Sequence, residues 1–342
     1  MCNIAAYVGN KQAAPIIVEM LRRQEGWDSG YYTGIATIHD GEFYMEKGVG
    51  SLEMLLSRTD VTKLPGTIGF IHGRSKGSEE NDNYAHPFVG TGGDILYMAN
   101  GYGGIFREFS AGKASDVFAE ITGLGYHCQT YMEGEYTMLP GGAKVHSSDL
   151  KCQKITYYVD RGMSVMEAME KSLCERPSEV VGLVLNRKTP DRIYFARINY
   201  PMFIGIADHG IYMATTPMVF PEDARDITLL QPMSCGEVYR DRYMVKPFAA
   251  PPATVAPLTP EVYSKCYTAL VEALSKEDMD HDQIDRLLRP MIPGGDCPPE
   301  SALDYMILHD LQKQGRIEIK TQEMPGVQEG TIRTKFVASF KK

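Results

Sequence analysis

Short apolar runs, bounded by clusters of Gly, Asp and Pro, dominate the first 250 positions of this 342-residue chain. Runs of this length between turn residues are typical of β-strands. The predicted strands span residues 4–8, 34–39, 66–72, 95–99, 181–185, 193–197, 202–206 and 210–214. Apolar positions at helical spacing predict helices over 13–24 and 164–174, the second with Ser164 as its N-cap. Many strands with a few long helices indicate an α+β domain in which sheets pack under helices.

The pattern changes at residues 249–257, which are rich in Pro and Ala and have no amphipathic period. Such a segment is typical of a linker. Beyond it the chain predicts helices over 260–274, 281–288 and 300–314, and strands over 316–322 and 331–340. Three helices and a two-stranded wing form a winged-helix arrangement. We therefore predict a domain over 1–248, a linker over 249–259 and a winged-helix-like module over 260–342.

Charge bears on what that module binds. Winged-helix modules often bind DNA, but a DNA reader should show a basic stripe, and acidic residues outnumber basic ones beyond the linker. The whole chain carries a net charge of −9, which disfavours a general nucleic-acid or acidic-membrane surface. We expect the module to contact protein, with homo-oligomer formation as one possibility.

The seven cysteines are scattered along the chain and include no C-x-x-C pair. This pattern argues against a disulfide framework or a thiolate zinc site, and it fits a reducing, cytoplasmic environment. No apolar run approaches the roughly 18 residues of a membrane span, and the N-terminus lacks the features of a signal peptide. Neither a P-loop nor a dinucleotide fingerprint is present, so we expect no cofactor and no metal.

The chemistry of the chain centres on Cys2, directly after the initiator methionine. Trimming of Met1 would leave a thiol and a free α-amine on one residue. The thiol is a good nucleophile, and an α-amine with a pKa of about 7.7–8.0 can accept a proton near neutrality. The competing interpretation is a small apolar residue that opens a buried strand.

Four further segments follow Cys2 in a fixed order. They are Leu21-Arg22-Arg23-Gln24-Glu25-Gly26-Trp27-Asp28-Ser29-Gly30, Gly69-Phe70-Ile71-His72-Gly73-Arg74-Ser75-Lys76-Gly77-Ser78, Asn83-Tyr84-Ala85-His86-Pro87-Phe88 and Met98-Ala99-Asn100-Gly101. In this order and spacing they resemble the class II glutamine amidotransferase domain, an N-terminal-nucleophile hydrolase. The segment from Thr130 to Glu135 is similar to a further motif of that family. The resemblance covers about residues 2 to 245 and implies a four-layer αββα fold.

The resemblance also implies roles for individual residues. Cys2 would attack the amide carbon of glutamine, and Asn100 with Gly101 would form the oxyanion hole. Arg74 would hold the substrate α-carboxylate through a bidentate pair, which suits a guanidinium better than lysine. Glu133 would pair with the substrate α-ammonium.

This chain departs from the family pattern at several of these positions. Glu133 stands where the family uses Asp, which moves the carboxylate out by one methylene. Asn3 stands where the family has Gly after the nucleophile. The loop after Arg74 is one residue shorter, so Ser75 and Ser78 are both candidates for the family threonine at the substrate carboxylate. These departures concern specificity more than reaction type.

Ordinary structural roles compete with each functional one. Arg74 and Glu133 can be solvated charges, and Asn100-Gly101 is also a common hairpin turn. We expect His72 and His86 to have structural roles, in packing and hydrogen bonding. We expect Trp27, Tyr31 and Tyr32 to lie in the core or to line the wall of the site.

The leading hypothesis is hydrolysis of L-glutamine to glutamate and ammonia by a stand-alone glutaminase subunit. Relatives usually fuse the glutaminase to a synthase, but the part after the linker is below the usual size of a two-lobed synthase domain. We therefore expect a separate ammonia-accepting enzyme as partner. The alternatives are a catalytically decayed regulatory or scaffold protein on the same fold, and an N-terminal-cysteine amidase for another linear amide.

Overall fold

The computed structural model describes residues 2–75, 81–102, 106–130, 137–138 and 144–341. The strands are β1 Asn3–Gly9, β2 Tyr32–His39, β3 Glu42–Val49, β4 Ile68–Arg74, β5 Phe88–Val89, β6 Ile95–Tyr102, β7 Thr137–Met138, β8 Lys144–Val145, β9 Glu179–Asn186, β10 Ile193–Arg197, β11 Phe203–Ala207, β12 Gly210–Ala214, β13 Arg225–Leu229, β14 Ser234–Val238, β15 Tyr243–Pro247, β16 Met279–Asp280, β17 Ile317–Pro325 and β18 Ile332–Phe340. The α-helices are α1 Ala13–Arg22, α2 Leu52–Arg58, α3 Arg107–Gly123, α4 Ser147–Asp160, α5 Val165–Glu175, α6 Pro260–Leu274, α7 His281–Leu288 and α8 Leu303–Lys313.

Two antiparallel sheets form the centre of the molecule. The first has seven strands in the order β13-β11-β12-β1-β4-β2-β3, and the second has six in the order β15-β14-β10-β9-β6-β5. Their inner faces share one apolar cluster, in which Ile4 and Phe70 of the first sheet meet Met98 and Leu183 of the second. The two sheets therefore pack face to face through alternating inward side chains.

Helices cover the outer face of each sheet. Ile17 and Leu52, on α1 and α2, belong to the cluster on the outer side of the first sheet. Ile155 and Leu173, on α4 and α5, belong to the cluster on the outer side of the second. The layer order is helices, sheet, sheet, helices, and the α+β class predicted from the sequence is confirmed.

Local sequence signals account for some elements better than others. The sequence predicts Ser164 as the N-cap of α5, and the structure confirms it. The hydroxyl of Ser164 accepts a hydrogen bond from the Glu167 N–H, and the Glu167 carboxylate accepts from the Ser164 N–H, which completes a capping box. Helix α4 escaped prediction, because polar residues such as Asp149 and Gln153 are buried along it and obscure an apolar stripe.

The C-terminal part has the predicted helices α6, α7 and α8, followed by the β17–β18 hairpin, with short β16 added beside β18. Residues 249–259 contain no helix or strand. Leu270 and Leu308 of this part share one apolar cluster with Leu21 and Trp27, so the C-terminal helices pack against the helix layer of the first sheet. None of the helices in the described ranges is long and apolar enough to cross a membrane.

The loop after α1 contacts the β17–β18 hairpin directly. The Phe336 N–H donates to the Gly26 carbonyl at 2.8 Å. A Cβ on Gly26 would lie 2.4 Å from the Phe336 ring, so only glycine allows this approach. The Trp27 ring meets the Phe336 ring edge-on, with the centroids 5.5 Å apart.

Candidate active site

Cys2 lies at the end of the space between the two sheets. It immediately precedes β1, and the next residue, Asn3, pairs with Gly73 on β4. The Cys2 Sγ lies 3.3 Å from the Ser75 Oγ and accepts a hydrogen bond of 3.3 Å from the Ser75 N–H. Only 8% of Cys2 is exposed. The thiol is therefore held by the residue that follows Arg74, next to the end of β4.

Interaction with the His72 imidazole lowers the pKa of this thiol. Burial raises the pKa of the Cys2 thiol, but interaction with His72 and with Ser75 outweighs it and lowers that pKa to about 6. The His72 Nε2 lies 3.0 Å from the Ala99 carbonyl oxygen. A carbonyl only accepts, so the His72 Nε2 carries a proton and donates. Among the described residues, the His72 Nδ1 has no hydrogen-bond partner.

Two more imidazoles, those of His86 and His146, continue the row of rings that begins at His72. The ring centroids of His72 and His86 are 4.0 Å apart, and those of His86 and His146 are 5.3 Å apart. Burial holds the pKa values of His86 and His146 well below the ordinary value, and their charged neighbours add to this effect. Both rings are therefore neutral at physiological pH.

Sequence reasoning assigned His72 a packing role and missed its place beside the thiol. The alternation of side chains along β4 could have indicated this position. His72 and Arg74 are two residues apart, and side chains two apart lie on the same face of a strand.

Asn100 connects the second sheet to the nucleophile candidate. It lies on β6, is 1% exposed, and its Nδ2 donates to the Cys2 carbonyl oxygen at 2.7 Å. Gly101 follows on the same strand and pairs with Val180 of β9. A Cβ on Gly101 would lie 3.0 Å from the Val180 side chain, so this position has little room for one. The structure thus places Asn100 against the backbone of Cys2.

Arg74 provides a buried positive charge at the same place. Its guanidinium carbon lies 4.5 Å from the centroid of the Tyr32 ring, and its Nη1 donates to the Tyr84 carbonyl oxygen at 3.3 Å. The side chain is buried, with only 4% of the residue exposed. A guanidinium that rests on an aromatic face is fixed in orientation and keeps its charge.

Two of the predicted binding residues, Ser78 and Glu133, lie outside the described residues. Thr130, at the start of the motif that contains Glu133, is fully buried, and its N–H and hydroxyl both donate to the Asp149 carboxylate at 2.8 Å. Burial raises the pKa of Asp149, and the bonds from Thr130 act against that rise. Asp149, near the start of α4, therefore holds Thr130 in place.

One group of possible metal ligands occurs in the described part of the chain: the ligand atoms of Asp28, His281 and Asp282 lie within 4.8 Å of one another. However, His281 Nδ1 lies 2.6 Å from an Asp28 oxygen and its Nε2 lies 2.7 Å from an Asp304 oxygen. Carboxylates accept, so both ring nitrogens donate, and the ring is a hydrogen-bonded cation rather than a metal ligand.

Comparison with known proteins identifies relatives by sequence. The chain is 28% identical over 253 residues to the isomerizing glutamine–fructose-6-phosphate aminotransferase of Pyrococcus horikoshii, a match that covers 72% of this chain and 38% of that protein. The aminotransferase of the same name from Chlorobaculum tepidum is 27% identical over 257 residues, covering 72% of this chain and 37% of that protein. The chain thus matches well under half the length of these relatives. No family model matches it.

Solved structures show the same fold. The glutamine phosphoribosylpyrophosphate amidotransferase from B. subtilis superposes with a TM-score of 0.59 at 13% identity, covering 98% of this chain and 71% of that one. A second structure, described as the allosteric regulatory enzyme of purine biosynthesis, superposes with a TM-score of 0.58 at 14% identity, covering 81% of this chain and 59% of that one. The chain is thus similar in sequence and in fold to glutamine amidotransferases.

Proposed function

We propose that this protein hydrolyses L-glutamine to glutamate and ammonia, with Cys2 as the nucleophile. The observation that carries the proposal is the buried Cys2 thiol with a pKa of about 6, placed beside Asn100 and near Arg74. A thiol with that pKa is about 90% thiolate at pH 7, whereas an ordinary cysteine is only a few per cent thiolate.

The arrangement supports a two-step acyl transfer. The Cys2 thiolate forms a bond to the amide carbon, and the C–N bond then breaks to release ammonia with a proton from a nearby acid. Water attacks the resulting thioester, which yields glutamate and regenerates the thiol. The proton carriers that we assign are the α-amine exposed by removal of Met1 and the His72 imidazole, which already interacts with the thiol.

The remaining roles concern charge on the substrate. The Asn100 amide carries two N–H donors, and one holds the Cys2 carbonyl. We assign the second, with the backbone of Gly101, to the oxyanion that forms during attack. Arg74 would bind the substrate α-carboxylate, with Ser75 and Ser78 as further candidates, and Glu133 would bind the α-ammonium.

The test is glutamate release by protein whose loss of Met1 is confirmed by intact mass. Wild type should release glutamate and should be labelled at Cys2 by a glutamine-like diazoketone, and Cys2→Ala should do neither. Glutamate release by Cys2→Ala at the wild-type rate would overturn the proposal. Turnover of a different small amide, with no turnover of glutamine, would instead indicate an amidase of other specificity. An unreactive Cys2 in the processed protein would indicate a decayed scaffold.

We further propose that the ammonia passes to an acceptor enzyme on a separate polypeptide. The sequence relative from Pyrococcus horikoshii is named a glutamine–fructose-6-phosphate aminotransferase, which supports an acceptor for the glutamine nitrogen here as well. The test uses glutamine labelled with nitrogen-15 in its amide and the purified companion enzyme. Transfer of the label to the companion's product supports the proposal, and full loss of the label as free ammonium contradicts it.

The C-terminal part is proposed to be a winged-helix-like module that contacts protein. Ile332, at the start of β18, is 57% exposed, which gives the hairpin an apolar contact point. Light scattering after gel filtration should show a dimer that Ile332→Lys dissociates, and a monomer at all concentrations would contradict self-association. Duplex DNA should not bind at physiological salt. The seven cysteines are free thiols, which supports the proposal of a cytoplasmic location.

A further inference from the structure

Glu179 and Asn199 form a buried polar pair at one end of the second sheet. Glu179 is the first residue of β9, Asn199 lies between β10 and β11, and both side chains are fully buried. The Asn199 Nδ2 donates to the Glu179 Oε1 at 2.9 Å. The other oxygen of each side chain, Glu179 Oε2 and Asn199 Oδ1, has no hydrogen-bond partner among the described residues. The pair therefore offers two free acceptors in the interior.

The pair lies on the same face of the sheet as Asn100. In the register of β6 and β9, Asn100 is opposite Val181, and Tyr102 is opposite Glu179. Opposed residues share a face, and so do residues two apart on one strand, so Glu179 projects into the space between the sheets, where Val181 packs. Diagonal neighbours of this kind lie about 7–8 Å apart. Glu179 is thus the diagonal neighbour of the residue that we assign to the oxyanion.

The C-terminal part of the chain holds this pair in place. Arg289, directly after α7, donates to the same Glu179 Oε1 at 2.7 Å. The Asn199 Nδ2 also donates to the Pro299 carbonyl oxygen, and the Asn199 carbonyl oxygen accepts from the Ser301 hydroxyl, both at 2.9 Å. Each of these bonds uses an atom other than the two free oxygens. The contacts therefore fix both side chains and still leave Oε2 and Oδ1 to a further group.

The two free oxygens specify the chemistry of that group. An acceptor left unsatisfied in the interior is costly, and more so on a charged side chain. A carboxylate oxygen and an amide oxygen only accept, so the group must donate two hydrogen bonds. Ammonia, neutral or protonated, has N–H donors enough for both, whereas the carboxylate of glutamate has only acceptors. Of the two products of glutamine hydrolysis, the pair therefore suits ammonia and repels glutamate.

We propose that Glu179 and Asn199 bind the ammonia that leaves glutamine, one diagonal step from Asn100 and on the side of the C-terminal part. The proposal rests on the proposed glutamine hydrolysis for the source of the ammonia. When the C–N bond breaks, the leaving nitrogen takes up a proton and passes to the two free oxygens. Binding there removes ammonia from the thioester, so water attacks without competition from the product.

Hydroxylamine is the probe for this site in the full-length, processed protein. It is a small N–H donor like ammonia, and it attacks the thioester in place of water. A C–N bond forms, the C–S bond breaks, and a proton from hydroxylamine returns to the Cys2 thiol as γ-glutamyl hydroxamate leaves. If hydroxylamine binds first, the ratio of hydroxamate to glutamate saturates with its concentration, whereas attack from solution makes the ratio rise linearly. The rate of acylation does not affect this ratio, because both products come from one thioester.

The variant is Glu179→Gln, with Glu237→Gln as its matched control. Glutamine keeps an oxygen for Asn199 and Arg289 but replaces the free oxygen by an NH2 donor. Glu237, on β14 of the same sheet, is 9% exposed, and both of its oxygens already have hydrogen-bond partners. The ratio should saturate in wild type and in the control. Glu179→Gln should lower it about tenfold or more at low hydroxylamine, the size expected for loss of a hydrogen bond to a charged acceptor.

Ammonium chloride gives a second measurement that needs no turnover. A ligand that binds only the folded protein raises its Tm, and the rise continues with ligand concentration above Kd. Potassium chloride at the same ionic strength is the reference, because potassium has the charge of ammonium but no N–H donors. Ammonium should raise the Tm of wild type and of Glu237→Gln above the value in potassium chloride. This difference should vanish in Glu179→Gln.

Three results would overturn the proposal. A hydroxamate ratio that rises linearly in wild type, or an equal ratio in wild type and Glu179→Gln, would leave water as the occupant of the pair. An equal Tm of wild type in the two salts would show that the pair does not select an N–H donor. If wild type does not turn over glutamine, the proposed function fails, and the comparison of the two salts still decides whether the pair binds ammonium.

Discussion

Replacement of His72 by glutamine tests the origin of the reactive thiol. Glutamine is neutral and similar in length, and its amide N–H can replace the bond from His72 to the Ala99 carbonyl. The substitution therefore removes the basic nitrogen and leaves that buried carbonyl a partner. Burial, which raises the pKa of the Cys2 thiol, remains in the variant. We expect the thiol pKa to rise from about 6 to the ordinary value of 9.0 or above.

The size of the effect depends on what is measured. A shift from about 6 to about 9 lowers the thiolate fraction at pH 7 from about 90% to about 1%. The thiolate also becomes more nucleophilic as its pKa rises. At a Brønsted slope of about 0.45, an increase of about three pKa units raises its nucleophilicity roughly 20-fold. The gain in nucleophilicity offsets most of the loss of thiolate, so the alkylation rate at pH 7 should fall only about fourfold. The pH midpoint, in contrast, should move by about three units.

The assay is therefore a pH series of Cys2 alkylation by iodoacetamide, followed by mass spectrometry of the N-terminal peptide. His86→Gln is the matched control, since His86 lies 4.0 Å from His72 and its low pKa keeps it neutral across the assay. The control should leave the midpoint within about one unit. A midpoint near 6 in His72→Gln would refute the assignment of His72, and a midpoint near 9 in wild type would refute the description of the thiol.

Three further predictions address charge elsewhere in the protein. Arg74→Lys keeps the charge but loses the planar fork, so KM for glutamine should rise about tenfold or more with a smaller change in kcat; steady-state kinetics would contradict this with an unchanged KM. Burial raises the pKa of Glu25 to about 7, so the ionised carboxylate destabilises the fold as pH rises from about 4.5 through 7. Glu25→Gln should therefore stabilise the protein by about 3 kcal/mol at pH 8 and by little at pH 4.5 in urea titrations, and an equal gain at both pH values would contradict this. The pKa of His281 is raised to about 10, so its contribution to stability is complete below the unfolded value near 6.5 and is lost as pH rises through 10. The urea midpoint of wild type should fall more steeply between pH 7 and pH 10 than that of His281→Gln, and parallel curves would count against the buried imidazolium.

The sequence alone determined the features that depend on local pattern. Apolar runs between turn residues predicted the inner strands, because an inward-facing strand must be apolar wherever it lies. Ser164 predicted the start of α5, because an N-cap hydroxyl accepts from a backbone donor only a few residues along the chain. The position and chemistry of Cys2 and the order of the motifs indicated the reaction class and brought Asn100 and Arg74 into consideration.

The tertiary structure decided which of these groups meet. Ser75 reaches Cys2 across 73 positions, Ser29 reaches Asn3 across 26 and His281 reaches Asp28 across 253. Helix α4 keeps Asp149 buried because the Asp149 carboxylate accepts a hydrogen bond from Thr130. The helical period of the sequence does not indicate that partner. The physical reason is the same in each case: burial sets the cost of a charge or a polar group, and only a partner from elsewhere in the fold offsets it. A linear pattern records the residue types, and the packing of strands and helices decides which atoms lie within hydrogen-bonding distance.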